Sequence, residues 1–301
     1  MSQLDSQAPQ RPKVTLTSLA AKKAAKDPIV MVTAYDHPSA RIADEVGVDL
    51  VLVGDSAANV VLGYDSTVPV TVAELLMLTA AVRRGVRSAL VVADLPFGSY
   101  EVCDQQAVRT AQRFIKVGGA DAGKLERGGS SVERARAVVA AGIPVMGHVG
   151  LTPQAATSLG GYRAQGRTSD QAERLINDAL ELQAVGCFAI VLEAVPAALT
   201  ELLVPLLSCP IIGIGAGAAT DGQVLVWHDL LGLSEGHLPK FVRQFADLRT
   251  EAINGLSAYA AAVRSREFPA VEHTYAMPPG ELDALRAKLA LSPPEGNIGP
   301  H

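Results

Sequence analysis

IVMVTAYDHPSARIADEVGVDLVLVGD, residues 29–55, carries the pattern that decides the fold. It opens on an apolar, β-branched-rich run (29–35) that meets Asp36, passes through an amphipathic stretch (39–48), and closes on a second apolar run (50–54) that meets Asp55. Short Val/Ile/Leu runs mark parallel strands buried on both faces, and the intervening apolar spacing is that of a helix packed along one side. The unit recurs along the chain. Strand-like runs fall at 29–35, 50–54, 89–94, 122–126, 144–149, 189–193, 210–214 and 224–228. Helical spacing fills 39–48, 71–85, 104–118, 131–142, 169–186 and 196–208, several of these opening on Ser, Thr, Asp or Pro and closing at Gly. Such ends satisfy the backbone groups a helix leaves unpaired. Eight units of this kind predict an α/β fold, a single (β/α)8 TIM barrel. A doubly wound open sheet gives the same alternation but rarely needs eight units and a terminal helix pair.

The 301 residues, 49% hydrophobic and 19% charged, provide one large core. The expected organisation is an N-terminal extension (1–14), a barrel domain (15–267) and a C-terminal tail (268–301) with one helical-looking piece, GELDALRAKLAL. The formal charge of −5, with no basic stripe interleaved with aromatics, argues against a nucleic-acid partner. Apolar runs broken by Gly, Pro or Asp, and an N-terminus without an apolar core behind basic residues, lead to the expectation of a cytoplasmic chain with no membrane partner. Cys103, Cys187 and Cys209 lack metal-type spacing and are expected as buried thiols.

Five apolar runs end in an acid: Asp36, Asp55, Asp94, Glu126 and Glu193. In a barrel the carboxyl ends of the strands share one mouth, so Asp55, Asp94 and Glu126, from the second, third and fourth strands, should converge there. Carboxylates held close together repel and raise one another's pKa unless a cation neutralises them. All-oxygen ligands select a hard ion, magnesium before manganese or calcium. The bland alternative is that each acid caps the helix that follows. Glu193, across the mouth, reads as a general base or acid, or as a partner of Arg163 or Arg167. Lys124 lies two residues before Glu126 and so shares its face, where a lysine needs an anion: a ligand carboxylate or phosphate, or the acids themselves. Neighbouring carboxylates keep it protonated, which weighs against a Schiff base. His148 ends the fifth strand as either a ligand contact or a core histidine, and the glycines of GIGAG (213–217) permit close approach to a ligand.

Eight strings in order, TAYD (33–36), VGDSAANVVLGYDSTVPVT (53–71), ADLPF (93–97), KLE (124–126), GHVGLTPQ (147–154), GGYRAQGR (160–167), VLEAVP (191–196) and GIGAGAATDGQVLVWHD (213–229), closely resemble the 3-methyl-2-oxobutanoate (ketopantoate) hydroxymethyltransferase family. The resemblance runs from about Thr15 to Tyr275. It implies a barrel of the phosphoenolpyruvate/pyruvate-binding type and hydroxymethyl transfer from 5,10-methylenetetrahydrofolate to the 2-oxo acid through a magnesium-stabilised enolate, giving 2-dehydropantoate for pantothenate synthesis. It implies Asp55, Asp94 and, directly or through water, Glu126 as Mg2+ ligands. Asp55, Ser56, Asp94 and Lys124 match the keto-acid contacts, Glu193 matches the proton acceptor, and the assembly is a homodecamer. Around the fourth strand this chain reads AGKLERGG, where the family usually has a branched residue before the lysine and glycine after the glutamate. A magnesium-dependent carbon–carbon lyase or mutase of the same barrel class, or a catalytically silent barrel, are the competing readings.

Overall fold

Eight parallel strands close on themselves in chain order in the computed structural model, which describes residues 11–126, 131–155, 161, 163–236 and 238–289. They are β1 (Ile29–Thr33), β2 (Leu50–Val53), β3 (Leu90–Asp94), β4 (Ala122–Glu126), β5 (Val145–Gly150), β6 (Ala189–Glu193), β7 (Ile211–Ile214) and β8 (Gly222–Leu225). The barrel predicted from periodicity is therefore the fold, and the open sheet is excluded because β8 pairs with β1 along Ile29–Val32.

The helices of this unit are α1 (Leu16–Ala25), α2 (His37–Glu45), α3 (Ala57–Val60), α4 (Val72–Gly85), α5 (Asp104–Arg113), α6 (Val132–Ala140), α7 (Ser169–Ala184), α8 (Ala197–Leu203) and α9 (Trp227–Leu230). Several start where an oxygen-bearing side chain takes up a free backbone N–H: Thr15 for α1, Asp36 for α2, Thr71 for α4 and Thr168 for α7. Contacts divide the chain into Met1–Asp247, which holds the barrel, and Leu248–His301. The second unit contains α10 (Leu248–Ser265) and α11 (Glu281–Lys288), and within it the ring of Phe268 meets Tyr259 edge to face and His273 at a tilt.

Strand periodicity distributes the core. One set of alternate residues points outward to the helices, among them Val51, Val53, Val91, Leu125 and Ile190. The other points into the barrel, where Leu50, Leu52, Leu90, Val92, Ala122, Met146, Ala189 and Val191 form a second buried cluster. Leu19 of α1 joins that interior cluster and is fully buried, so α1, which the sequence pattern did not single out, seals one end of the barrel. Burying one such leucine contributes roughly 1.5–3 kcal/mol.

The eighth strand differs from its expected span of 224–228. It starts at Gly222, two residues that carry no apolar signal, and ends at Leu225. Trp227 then donates its backbone N–H to Thr33 Oγ1 at 2.8 Å, which turns the chain off the ladder into α9. Gly123 leaves β4 regular, paired on both sides, with Leu95 reaching to within 3.1 Å of where a β-carbon would stand. Arg127 lies outside the described residues.

Candidate active site

Continuing the inward parity of each strand by one step changes its chemistry. After Leu90 and Val92 comes Asp94; after Ala122 come Lys124 and Glu126; after Met146 comes His148; after Ala189 and Val191 comes Glu193. The apolar layers thus give way to a charged layer at the carboxyl ends of the strands, where barrels carry their chemistry. A cavity of about 410 Å³ opens above it, and Asp55, Ser56, Asp94, Lys124, Glu126, His148 and Glu193 all line it. Asp36, whose sequence setting looks the same, lies apart: it is exposed and accepts the Ser39 N–H at 2.8 Å as the cap of α2.

Register brings the first pair together. Asp94 stands opposite Lys124 in the β3–β4 ladder, and Lys124 Nζ lies 2.8 Å from Asp94 Oδ1 with both side chains almost completely buried. The other oxygen, Asp94 Oδ2, accepts the Asp55 N–H at 2.9 Å. Gly54 leaves room for the Ser56 hydroxyl: a β-carbon there would lie 2.8 Å from Ser56 Oγ. Ser56 Oγ is held by the Tyr35 hydroxyl at 2.8 Å.

The second group runs across β4, β5 and β6. Glu126 is opposite His148 in register, and His148 Nδ1 lies 3.3 Å from Glu126 Oε1 while Nε2 lies 3.3 Å from Glu193 Oε2. Both are ionic contacts whose angles fall short of directed hydrogen bonds. Glu193 is the less enclosed carboxylate, its side chain 16% exposed against 2% for Glu126. Its partner is His148, not the Arg163 or Arg167 considered from sequence.

Burial and the nearby Lys124 both act to discharge His148, yet Glu126 and Glu193 outweigh them and its pKa is pushed up to about 9. Burial likewise opposes ionisation of Glu126, but His148, Lys124 and the Gln154 N–H outweigh it and hold the carboxyl below its usual range. Asp55 goes the other way. Burial, then the charges of Glu126 and Asp94, raise it well above the carboxylate range despite Lys124 and a hydrogen bond from Gln154. The layer is short of positive charge, and Asp55 shows it.

Asp55, Asp94 and Glu126 supply only oxygen ligands, and all three are buried at the wall of one cavity. The residues fit a hard divalent cation in chemistry. Among the described residues no three acidic, His or Cys side chains are already gathered around one point. Both Glu126 oxygens are engaged, Oε1 by His148 and Oε2 by the Gln154 N–H at 2.9 Å.

Two groups escaped the sequence reading. Gln154, in the short turn Pro153–Ala155, reaches Asp55, and Tyr100 reaches Gln154. An uncharged glutamine on a loop carries no pattern that spacing could reveal. In GIGAG, Gly215 has φ +65° and its missing β-carbon leaves room for Phe241, itself a wall of the cavity. His228 stacks on Tyr35 with ring centroids 5.5 Å apart, and His237 lies outside the described residues.

A closed parallel barrel with buried acids at its carboxyl mouth is the class that fold and site define, and solved structures share the fold. The crystal structure of phosphonopyruvate hydrolase complexed with oxalate and Mg2+ matches at a TM-score of 0.56 and 12% identity, covering 91% of this chain and 96% of that one. The structure of 2,3-dimethylmalate lyase, a PEP mutase/isocitrate lyase superfamily member, matches at 0.54 and 16%, covering 91% and 98%.

Sequence similarity goes further. A family model for ketopantoate hydroxymethyltransferase matches residues 13–271, and this chain belongs to that family. It is 51% identical over 271 residues to 3-methyl-2-oxobutanoate hydroxymethyltransferase of Frankia alni, covering 90% of this chain and 89% of the relative. With the protein of that name from Moorella thermoacetica it shares 53% over 266 residues, covering 88% and 99%. Among the described residues no helix is long and apolar enough to cross a membrane.

Proposed function

We propose that this chain transfers a hydroxymethyl group from 5,10-methylenetetrahydrofolate to 3-methyl-2-oxobutanoate, giving 2-dehydropantoate. Its relatives at 51–53% identity carry the corresponding name. The observation that carries the reading is the charged layer of the cavity wall: Asp55, Asp94, Glu126 and Glu193, together with Asp65 and Asp229, outnumber Lys124 and His148, an excess of acid that a divalent cation would offset.

Asp55 and Asp94 would hold that cation, with Glu126 joining them directly or through a water. When bound, magnesium would polarise the ketone oxygen of the substrate and acidify the hydrogen on C3. The chain's own residues do the rest. Lys124 spends one of its three N–H donors on Asp94, which leaves others for the substrate carboxylate. Ser56, steadied by Tyr35, offers a hydroxyl beside it. Glu193, more accessible than Asp55, Asp94 or Glu126 and oriented by His148, takes the C3 proton. C3 then forms a bond to the methylene carbon as a carbon–nitrogen bond of the folate breaks. Water cleaves the second such bond, leaving the hydroxymethyl group and tetrahydrofolate.

The test is C3 deuterium exchange and product formation with 3-methyl-2-oxobutanoate, with and without Mg2+ and the folate donor. Exchange that needs Mg2+, and product that needs both, is the expected result. Glu193→Gln should retain Mg2+-dependent keto-acid binding and lose most exchange and turnover. Unchanged exchange in that variant removes Glu193 from its role, and turnover without the folate donor refutes the assignment of the donor.

A further inference from the structure

Gln154 touches more of the candidate metal site than any residue the sequence singled out. It is nearly buried, and its amide lies between Asp55 and Tyr100. Nε2 donates to Asp55 Oδ2 at 2.9 Å and to the Leu95 carbonyl at 3.2 Å, while Oε1 accepts the Tyr100 hydroxyl at 2.8 Å. The Gln154 backbone N–H, separately, donates to Glu126 Oε2. One residue thus holds two of the three acids, which are 71 residues apart in the chain (126 − 55 = 71).

The direction of every bond in this set is determined. The Leu95 carbonyl at one end of the amide can only accept, so the NH2 must point there and toward Asp55 Oδ2. Its oxygen then faces Tyr100, whose hydroxyl donates to it; flipping the amide would set its oxygen against Asp55 Oδ2 and the Leu95 carbonyl and break both of those contacts. Because Asp55 Oδ2 is turned to Gln154, Oδ1 is the oxygen left for the cavity. Tyr100, 54 residues away in sequence and anchored in the outer core, is the fixed end of the chain of bonds.

The geometry points to Gln154 as a positioning residue for the divalent cation, presenting Asp55 by its side chain and Glu126 by its backbone, with the Leu95 carbonyl fixing the polarity of the amide and Tyr100 anchoring its oxygen. This deepens the proposed function and rests on Asp55 and Asp94 holding the ion. Outer partners of this kind commonly control metal affinity by about 10–100-fold.

The experiment titrates Mn2+ into the full-length chain, following free Mn2+ by electron paramagnetic resonance, for the unaltered protein, Gln154→Leu, Tyr100→Phe and Asp55→Asn, with melting temperatures alongside. Asp55→Asn should lose the site, Gln154→Leu should weaken Mn2+ about tenfold or more, and Tyr100→Phe should weaken it severalfold. In turnover, Gln154→Leu should raise the Mg2+ concentration needed for half-maximal rate while kcat at saturating Mg2+ stays within a few-fold, a split that general structural damage would not produce. Binding within twofold of the unaltered protein in both Gln154→Leu and Tyr100→Phe, while Asp55→Asn loses the ion, overturns the positioning role and leaves the metal reading standing. Full binding in Asp55→Asn overturns the metal reading and this inference with it. Should Gln154→Leu fail to fold, the near-isosteric Tyr100→Phe decides alone.

Discussion

Replacing Lys124 with methionine keeps most of its stem volume and removes one charge from the wall of the cavity. The ammonium it deletes lies 2.8 Å from Asp94 Oδ1, with the two side chains 4% and 2% exposed. Asp94 then keeps the Asp55 N–H as its hydrogen-bond donor among the described residues and remains buried among acids. Breaking a buried ion pair from one side costs about 3–5 kcal/mol, because the remaining charge stays desolvated. An exposed pair would cost ~1 kcal/mol or less, so the size of the effect distinguishes the two cases. At about 2–4 °C per kcal/mol for a domain of this size, the melting point should fall by roughly 6–20 °C. Adding Asp94→Asn removes the stranded charge and preserves an acceptor for the Asp55 N–H, so the double variant should recover most of the loss. The assay is urea unfolding in EDTA followed by circular dichroism, with the slopes compared to confirm that only the midpoint moves. A loss under about 1 kcal/mol in the single variant, or no recovery in the double, would refute the reasoning. If Lys124 also binds the substrate carboxylate, losing that charge-assisted bond, worth about 1.5–3 kcal/mol, should raise KM for the keto acid by roughly one to two powers of ten.

Two further outcomes follow from charge and burial. With His148 raised from 6.5 to about 9, the native barrel binds a proton that the unfolded chain releases between those values. That stabilisation is complete below pH 6.5 and is lost as pH rises through 9, so in EDTA the urea midpoint should decline across this window more steeply than in His148→Asn. Parallel slopes would show that the imidazole is uncharged in the fold. Cys187 and Cys209 are buried, with thiols pushed up by burial to about 12 and about 11, whereas Cys103 is partly exposed. A thiol reagent at pH 8 should therefore titrate one cysteine quickly and three after denaturation, and two fast thiols in the native protein would contradict the buried pair.

The sequence by itself determined the barrel and most of the members of its charged layer. Local spacing is enough for that: a parallel strand buried on both faces must be an apolar run, its crossover must be an amphipathic helix, and the residue that follows the last inward apolar position stands at the mouth. The same local pattern could not separate Asp36 from Asp55. One follows β1 into an exposed cap and the other, two residues beyond β2, turns inward against Asp94, a difference set by the partner 39 residues away. Nor could it place the end of β8, where the N–H of Trp227 finds Thr33 across 194 residues. Which cation serves which acid, and that Gln154 joins Asp55 to Tyr100, depended on closure of the ladder. Strand register, rather than composition, sets Lys124 against Asp94 and His148 between Glu126 and Glu193. A hydrogen bond between groups 99 residues apart leaves no periodic trace in the chain, because its energy depends on a distance that exists only once the barrel has closed.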